Sequence, residues 1–130
     1  MWMSTNIHYT VKEAQSLLIS IKPVLTEMVV LKRKLNDLGF DVYNHEYYGG
    51  RGPNGTGKFP DEMEKLIKII KYLSSLSVEV KNIDTALIDF PHIRNNGEEV
   101  YLCYMLGEDK IEFWHNLTEG FIGRKSLDEL

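Results

Sequence analysis

After Ser77 the spacing of apolar residues changes from every third or fourth position to every second, and no other feature constrains the fold of this chain as strongly. Upstream, Val11, Ala14, Leu18, Ile21, Leu25 and Met28 recur at helical spacing. Leu17, Val24, Leu31 and Leu38 form a second column beside them, giving one wide apolar stripe. Thr10 and Glu13 stand in capping-box positions, where the hydroxyl accepts from a first-turn amide and the carboxylate reaches back. Gly39 suits the stop. Pro23 removes one backbone hydrogen bond in mid-helix, so a kink or a break is expected there. A second helix opens at Pro60, with Asp61, Glu62 and Glu64 at the positive end of its dipole. Its buried face reads Met63, Leu66, Ile67, Ile70, Leu73 and Leu76. The two helices are expected to form an antiparallel hairpin over residues 10–77, joined by a Gly-rich loop at 41–59.

The alternating part spans residues 78–130 together with an irregular tail. "VEVKNI" reads as a strand and "ALIDF" as another, stopped by Pro91. "RNNGE" is a turn, and "EVYLCYML" and "IEFWHNL" are strands joined by "GEDK". A tight turn there sets Tyr104 across from Phe113 and Leu102 across from His115. One face is then Val100, Leu102, Tyr104, Leu106, Ile111, Phe113, His115 and Leu117. The other is Tyr101, Cys103, Met105, Glu112, Trp114 and Asn116. The expected architecture is α+β in a single domain, 1–130: a long antiparallel helical hairpin packed on a small antiparallel β-sheet. One helical layer covers one side of the sheet only. The side with Tyr101, Cys103, Met105 and Trp114 is too apolar for water, so it needs a cover. The candidates are a second copy of the chain, as a homodimer, or the long loop or the tail around Phe121 and Ile122.

Of 130 residues, 43% are hydrophobic and 26% charged, an ordinary globular mix. A net charge of −4 disfavours nucleic acid and anionic membranes as partners. The single cysteine, Cys103, excludes an internal disulfide. With no signal-peptide pattern at the N-terminus, a cytoplasmic location is expected. The glycosylation sequons at Asn54 and Asn116 are then accidental, and no apolar run is expected to reach the ~18 residues of a membrane span.

The stretch "GPNGTGKF" fits G-x-x-x-x-G-K, the front of a phosphate-binding loop. A working loop follows a strand and carries Ser or Thr after its Lys to hold magnesium. Here a helix precedes it and Phe59 occupies the metal-binding position. The stretch reads as a connector, and no nucleotide is expected.

Chemistry-bearing residues concentrate near the C-terminus: Glu108, Asp109, Glu112, Trp114, His115, Glu119 and Arg124, with Asp89 at the end of an earlier strand. Glu112 and His115 would share one face of a helix but take opposite faces of a strand. His115 is either a histidine bonded at the edge of the core, or a metal ligand or general base paired with Asp89 or Glu119. Arg124 suits an anion clamp or, better, an ion pair with an acidic neighbour. Cys103, flanked by bulky residues, reads as packing rather than as a nucleophile. His8, His45 and His92 are scattered and lack metal-ligand spacing.

Three segments carry a family resemblance: "YTVKEAQSLL", "ALIDFP" and "EVYLCYMLGEDKIEFWHNLTEGFIGRKSL". Together they resemble the uncharacterised conserved family known as domain of unknown function 2203. The resemblance implies a polar set at Asp89, Glu108, His115 and Arg124, with Trp114 beside it. It also implies Gly where Ala86 stands, Trp where Tyr104 stands, and a Pro near Ile19 rather than at Pro23. It implies no reaction.

Two functions fit these residues. The first is a non-catalytic binding or protein-interaction module, with Glu108, Glu112, Trp114 and Glu119 as binding residues. The second is a metal-dependent or acid–base enzyme, with Asp89, His115 and Arg124 as catalytic candidates and Asp89, His115 and Glu112 as metal ligands. A divalent metal is the one cofactor these residues suggest. The first reading is favoured, because strand spacing separates Glu112 from His115 and no complete catalytic set assembles.

Overall fold

The computed structural model of the chain describes residues 7–44, 46–47 and 60–130. The capping box forms: Thr10 Oγ1 accepts from the Glu13 amide at 3.0 Å, and Glu13 Oε1 accepts from the Thr10 amide at 2.9 Å. Helix α1 then runs unbroken from Val11 to Asp37, straight through Pro23. Pro23 cannot donate to the Ile19 carbonyl, but Ile19 lies on the exposed flank, where water can serve that carbonyl. The helix stops where Gly39 takes φ +75° and donates to the Asn36 carbonyl at 3.0 Å. An 18-residue window of α1 reaches a mean hydropathy of 1.4, so by length and composition this helix passes the test for a membrane span, contrary to the expectation from the sequence. Its stripe accounts for that hydropathy without a membrane: Ala14, Leu18, Ile21, Leu25, Met28 and Leu35 are buried in the protein core.

Two short strands, β1 (Phe40–Asp41) and β2 (Glu46–Tyr47), pair antiparallel inside the segment expected to be loop. The Asp41 carboxylate ties the intervening turn by accepting from the amides of Tyr43 and Asn44. The rest of that segment, including the stretch like a phosphate-binding loop, lies outside the described residues. Helix α2 (Asp61–Ser75) follows, with Pro60 at its N-cap. It has 15 residues against the 27 of α1, so the expected long hairpin is met only in part.

The sheet has five strands in the order β3 (Glu79–Asn82), β4 (Leu87–Ile93), β5 (Glu99–Met105), β6 (Phe113–Asn116) and β7 (Lys125–Ser126), each antiparallel to its neighbour. The class is α+β. Partners across each ladder share a face. Val80, Ile88, Phe90, Leu102, Tyr104 and Trp114 occupy the inner face and join the buried residues of both helices in one cluster. Burying a side chain of this size contributes about 1.5–3 kcal/mol. Glu79, Asp89, Cys103 and Phe113 lie in register on the outer face, with Pro91, Tyr101 and His115 beside them.

Two expectations are corrected here. Strand β4 does not stop at Pro91 but continues to Ile93, opposite Tyr101 and Glu99. The pairing with β3 extends no further than Asp89, so the proline has no ladder bond to break on that side. The Tyr9 amide donates to the Pro91 carbonyl there at 2.7 Å. The second correction is one of register. Phe113 lies across from Cys103, not Tyr104, and Trp114 lies across from Leu102. A slip of one residue exchanges the faces of β6: Trp114 goes into the core, and Phe113 and His115 go to the outer face. The cause is the connection at 106–112. Gln15 clamps the backbone of Ile111, donating to its carbonyl at 2.8 Å and accepting from its amide at 3.0 Å. Ile111 is thereby buried as a loop residue rather than paired as a strand residue. Glu108 folds back, its carboxylate accepting from the Met105 amide at 2.7 Å and its carbonyl from the Tyr104 hydroxyl at 2.9 Å.

Candidate functional site

On the outer face the strands carry polar chemistry where a core would not tolerate it. Asp89 on β4 and His115 on β6 stand on either side of β5, roughly two strand spacings of ~4.8 Å apart. Their side chains close that gap over Cys103 and Tyr101: His115 Nε2 lies 3.0 Å from Asp89 Oδ1. Asp89 and Cys103 are each 1% exposed and His115 is 2% exposed. A carboxylate oxygen, the Cys103 Sγ and a ring nitrogen of His115 lie within 4.8 Å of one another.

The protonation of this cluster follows from its partners. His115 Nδ1 faces the Asn116 carbonyl at 2.7 Å, and Nε2 faces Asp89. A carbonyl only accepts, so Nδ1 carries a proton, while Nε2 is turned to the Asp89 carboxyl group, a partner that favours the charged ring. Burial pulls the His115 pKa down, but the Asp89 hydrogen bond, the Asn116 carbonyl and the Asp89 charge together leave it raised. The Cys103 thiol is pushed up to about 12, first by burial and then by the Asp89 charge, with the Arg124 charge opposing. It is therefore protonated at neutral pH and is a poor nucleophile. Tyr101 is also raised, by burial and by the hydrogen bond to Glu79.

The cluster floors a cavity of about 230 Å³. Leu87, Tyr101, Leu117 and Phe121 wall it, and Lys81, Thr118 and Glu119 stand at its exposed rim. Among the described residues, Asp89 Oδ2 and Arg124 Nε are buried side-chain atoms with no hydrogen-bond partner.

The tail closes one side of this cavity. A 3-10 turn at Gly120–Gly123 and strand β7 fold the chain back beside β6. Arg124 then stacks between Phe113 and Phe121, at 4.1 and 4.8 Å from the ring centroids. Its guanidinium pairs with Glu108 Oε1 at 2.6 Å and donates to the Cys103 carbonyl at 3.4 Å.

A family model described as "Uncharacterized conserved protein (DUF2203)" matches residues 8–127, a span that takes in every residue of this cluster. The chain belongs to that family. No curated protein and no solved structure matches it.

In this family member the residues singled out by sequence divide into three groups. Asp89 and His115 come together. Glu108 and Arg124 form a separate pair next to Cys103. The remaining candidates lie apart from the cluster. Glu112 is exposed ahead of β6. Trp114 is in the core, its Nε1 donating to the Ser126 carbonyl at 3.0 Å. Glu119 is held at the rim by Lys125 at 2.9 Å and by Asn116. Cys103 completes the convergent set in place of Glu112. A signal for it was present in the sequence. The turn at Arg94–Gly97, closed by the Gly97 amide on the Arg94 carbonyl, sets a register in which Asp89 faces Cys103. Counting outward from that turn finds the pair. Lys81, Tyr101 and Thr118 carried no comparable signal as cavity residues.

Proposed function

We propose that this protein works by binding rather than by covalent catalysis, and that its site is the cavity floored by Asp89, Cys103 and His115. The ligand is a small cation. The observation that carries this reading is Asp89 Oδ2, a buried carboxylate oxygen with no hydrogen-bond partner, on a residue that lines the cavity. Such an oxygen is costly to bury without a donor, so a positively charged ligand gains there what water or solvent exposure would otherwise supply. The cavity, about 230 Å³, lies below the usual range for drug-sized ligands, which favours an ion or a few heavy atoms. The groups that could perform chemistry support the same reading. Both ring nitrogens of His115 are already engaged, by the Asn116 carbonyl and by Asp89, and burial and the Asp89 charge hold the Cys103 thiol in its protonated form.

Thermal unfolding in the presence of ammonium, guanidinium, Mg²⁺ and Zn²⁺ tests this, with wild type set against Asp89→Asn. At least one cation is expected to raise the Tm of wild type and leave the variant unmoved relative to its own baseline. If every cation acts equally on both proteins, or on neither, the reading fails.

Pairing with a second copy, the partner expected from sequence, is a further part of the proposal. It is supported by Leu117 and Phe121, exposed apolar residues of the cavity wall, and by Ile122, next in the chain and 97% exposed. Light scattering at micromolar concentration tests it, and a monomer removes it.

A further inference from the structure

We propose that the cavity takes a divalent transition-metal ion of the zinc type, bound by a carboxylate oxygen of Asp89, Sγ of Cys103 and Nε2 of His115. This rests on the reading that the cavity binds a small cation, and it names that cation by class.

The first argument is geometric. The three donor atoms come from three adjacent strands and lie within 4.8 Å of one another. Zinc bonds of ~2.0–2.3 Å place tetrahedral ligand atoms roughly 3.3–3.8 Å apart, so shifts of about 1 Å or less would assemble the site. The second is the donor set. A thiolate with an imidazole favours zinc-like ions, whereas magnesium and calcium ask for oxygen alone. The third is orientation. Metal-bound histidines are held by a hydrogen bond from the other ring nitrogen, and His115 Nδ1 already donates to the Asn116 carbonyl at 2.7 Å. That bond leaves Nε2 as the atom to present to the metal.

The fourth is independent of the ligand types. Asp89 is 1% exposed, yet its Oδ2 has no hydrogen-bond partner. Metal coordination gives that carboxylate a use for its spare lone pairs. On binding, the thiol proton of Cys103 and any proton on Nε2 of His115 leave to solvent, so an M²⁺ ion with a thiolate, a carboxylate and a neutral imidazole makes a buried cluster of zero net charge. No electron transfer is involved. Three protein ligands would leave one coordination position of a tetrahedral ion for water or a small ligand.

Cobalt(II) is the probe, added to the full chain after treatment with a chelator. Cys103 is the only cysteine in the sequence, so a thiolate-to-cobalt charge-transfer band can come from no other residue. One cobalt per chain is expected, with that band and with the strong visible absorption of a tetrahedral centre, both abolished by added zinc. Cys103→Ser should lose the charge-transfer band and weaken binding about tenfold or more. Glu112→Gln should change neither. Cobalt bound without the band, or no cobalt bound, overturns the proposal on wild type alone, whatever the variants do. A stabilising effect of ammonium or guanidinium without the cobalt band would sink this ligand set while leaving the cation-binding cavity standing. No cation effect at all would sink both.

Discussion

The two faces of β4 and β5 are made of alternate residues of the same strands, yet different physics holds them. On the inner face Ile88, Phe90, Leu102 and Tyr104 are buried by area, and area is indifferent to small changes in direction. On the outer face Asp89, Cys103 and His115 are buried to the same degree, but there Asp89 and His115 are held by partners at particular distances, with the Cys103 sulfur within 4.8 Å of their donor atoms. The comparison teaches that one residue of register separates a scaffold position from a site position. A chain with this pattern must fix its register tightly. The clamp of Gln15 on Ile111 and the fold-back of Glu108 supply that fixing from outside the ladder.

The largest expected effect breaks the inner face. Phe90→Ala should destabilise the protein by about 4 kcal/mol, from lost transfer energy and the cavity left behind. Equilibrium denaturation measures it. A loss below about 1 kcal/mol would mean that Phe90 is not in the core and that the two faces are exchanged. In the folded fraction that remains, the state of His115 should be unaltered, because Phe90 touches the scaffold and not the pair.

A smaller effect is expected when the outer face is broken. Asp89→Asn takes the carboxyl partner away from a buried His115, a change that costs about 3 kcal/mol, near the low end for such pairs because His115 can shed its proton instead. This loss depends on pH, whereas the loss in Phe90→Ala does not. The folded pKa of His115 lies above its unfolded value, so the stability that the pair contributes is fully present below about pH 6.5. It is lost as pH rises through the folded pKa. Denaturation curves across that range should show wild type losing stability and Asp89→Asn losing less. Parallel pH profiles for the two proteins would show that the pair is not coupled to folding.

Much of the scaffold was legible in the sequence because it rests on local signals. Thr10 and Glu13 announce the start of α1, Gly39 its end, and the change of period after Ser77 the sheet. The resemblance to DUF2203 implied a Gly where Ala86 stands, and Ala86 indeed takes φ +50°, the left-handed region that favours glycine. The pairing of Arg124 with an acidic neighbour was legible from chemistry alone. The face of His115 was not. Periodicity gives which residues alternate but not where a loop returns. Here the return is set by Gln15, whose contact with Ile111 spans 96 positions of sequence. Cys103 was read as packing because its neighbours in the chain are bulky. Its neighbours in space, Asp89 and His115, come from other strands.

Everything turns on His115 facing Asp89 on the outer side of the sheet, where the carboxyl group raises the histidine above its ordinary pKa. Nitrogen-15 NMR of the metal-free protein across a pH titration reads this directly. Nδ1 should keep its proton throughout, and Nε2 should lose its proton at lower pH in Asp89→Asn than in wild type. A His115 that titrates no higher than an ordinary histidine would contradict this, as would a titration that Asp89→Asn leaves unchanged.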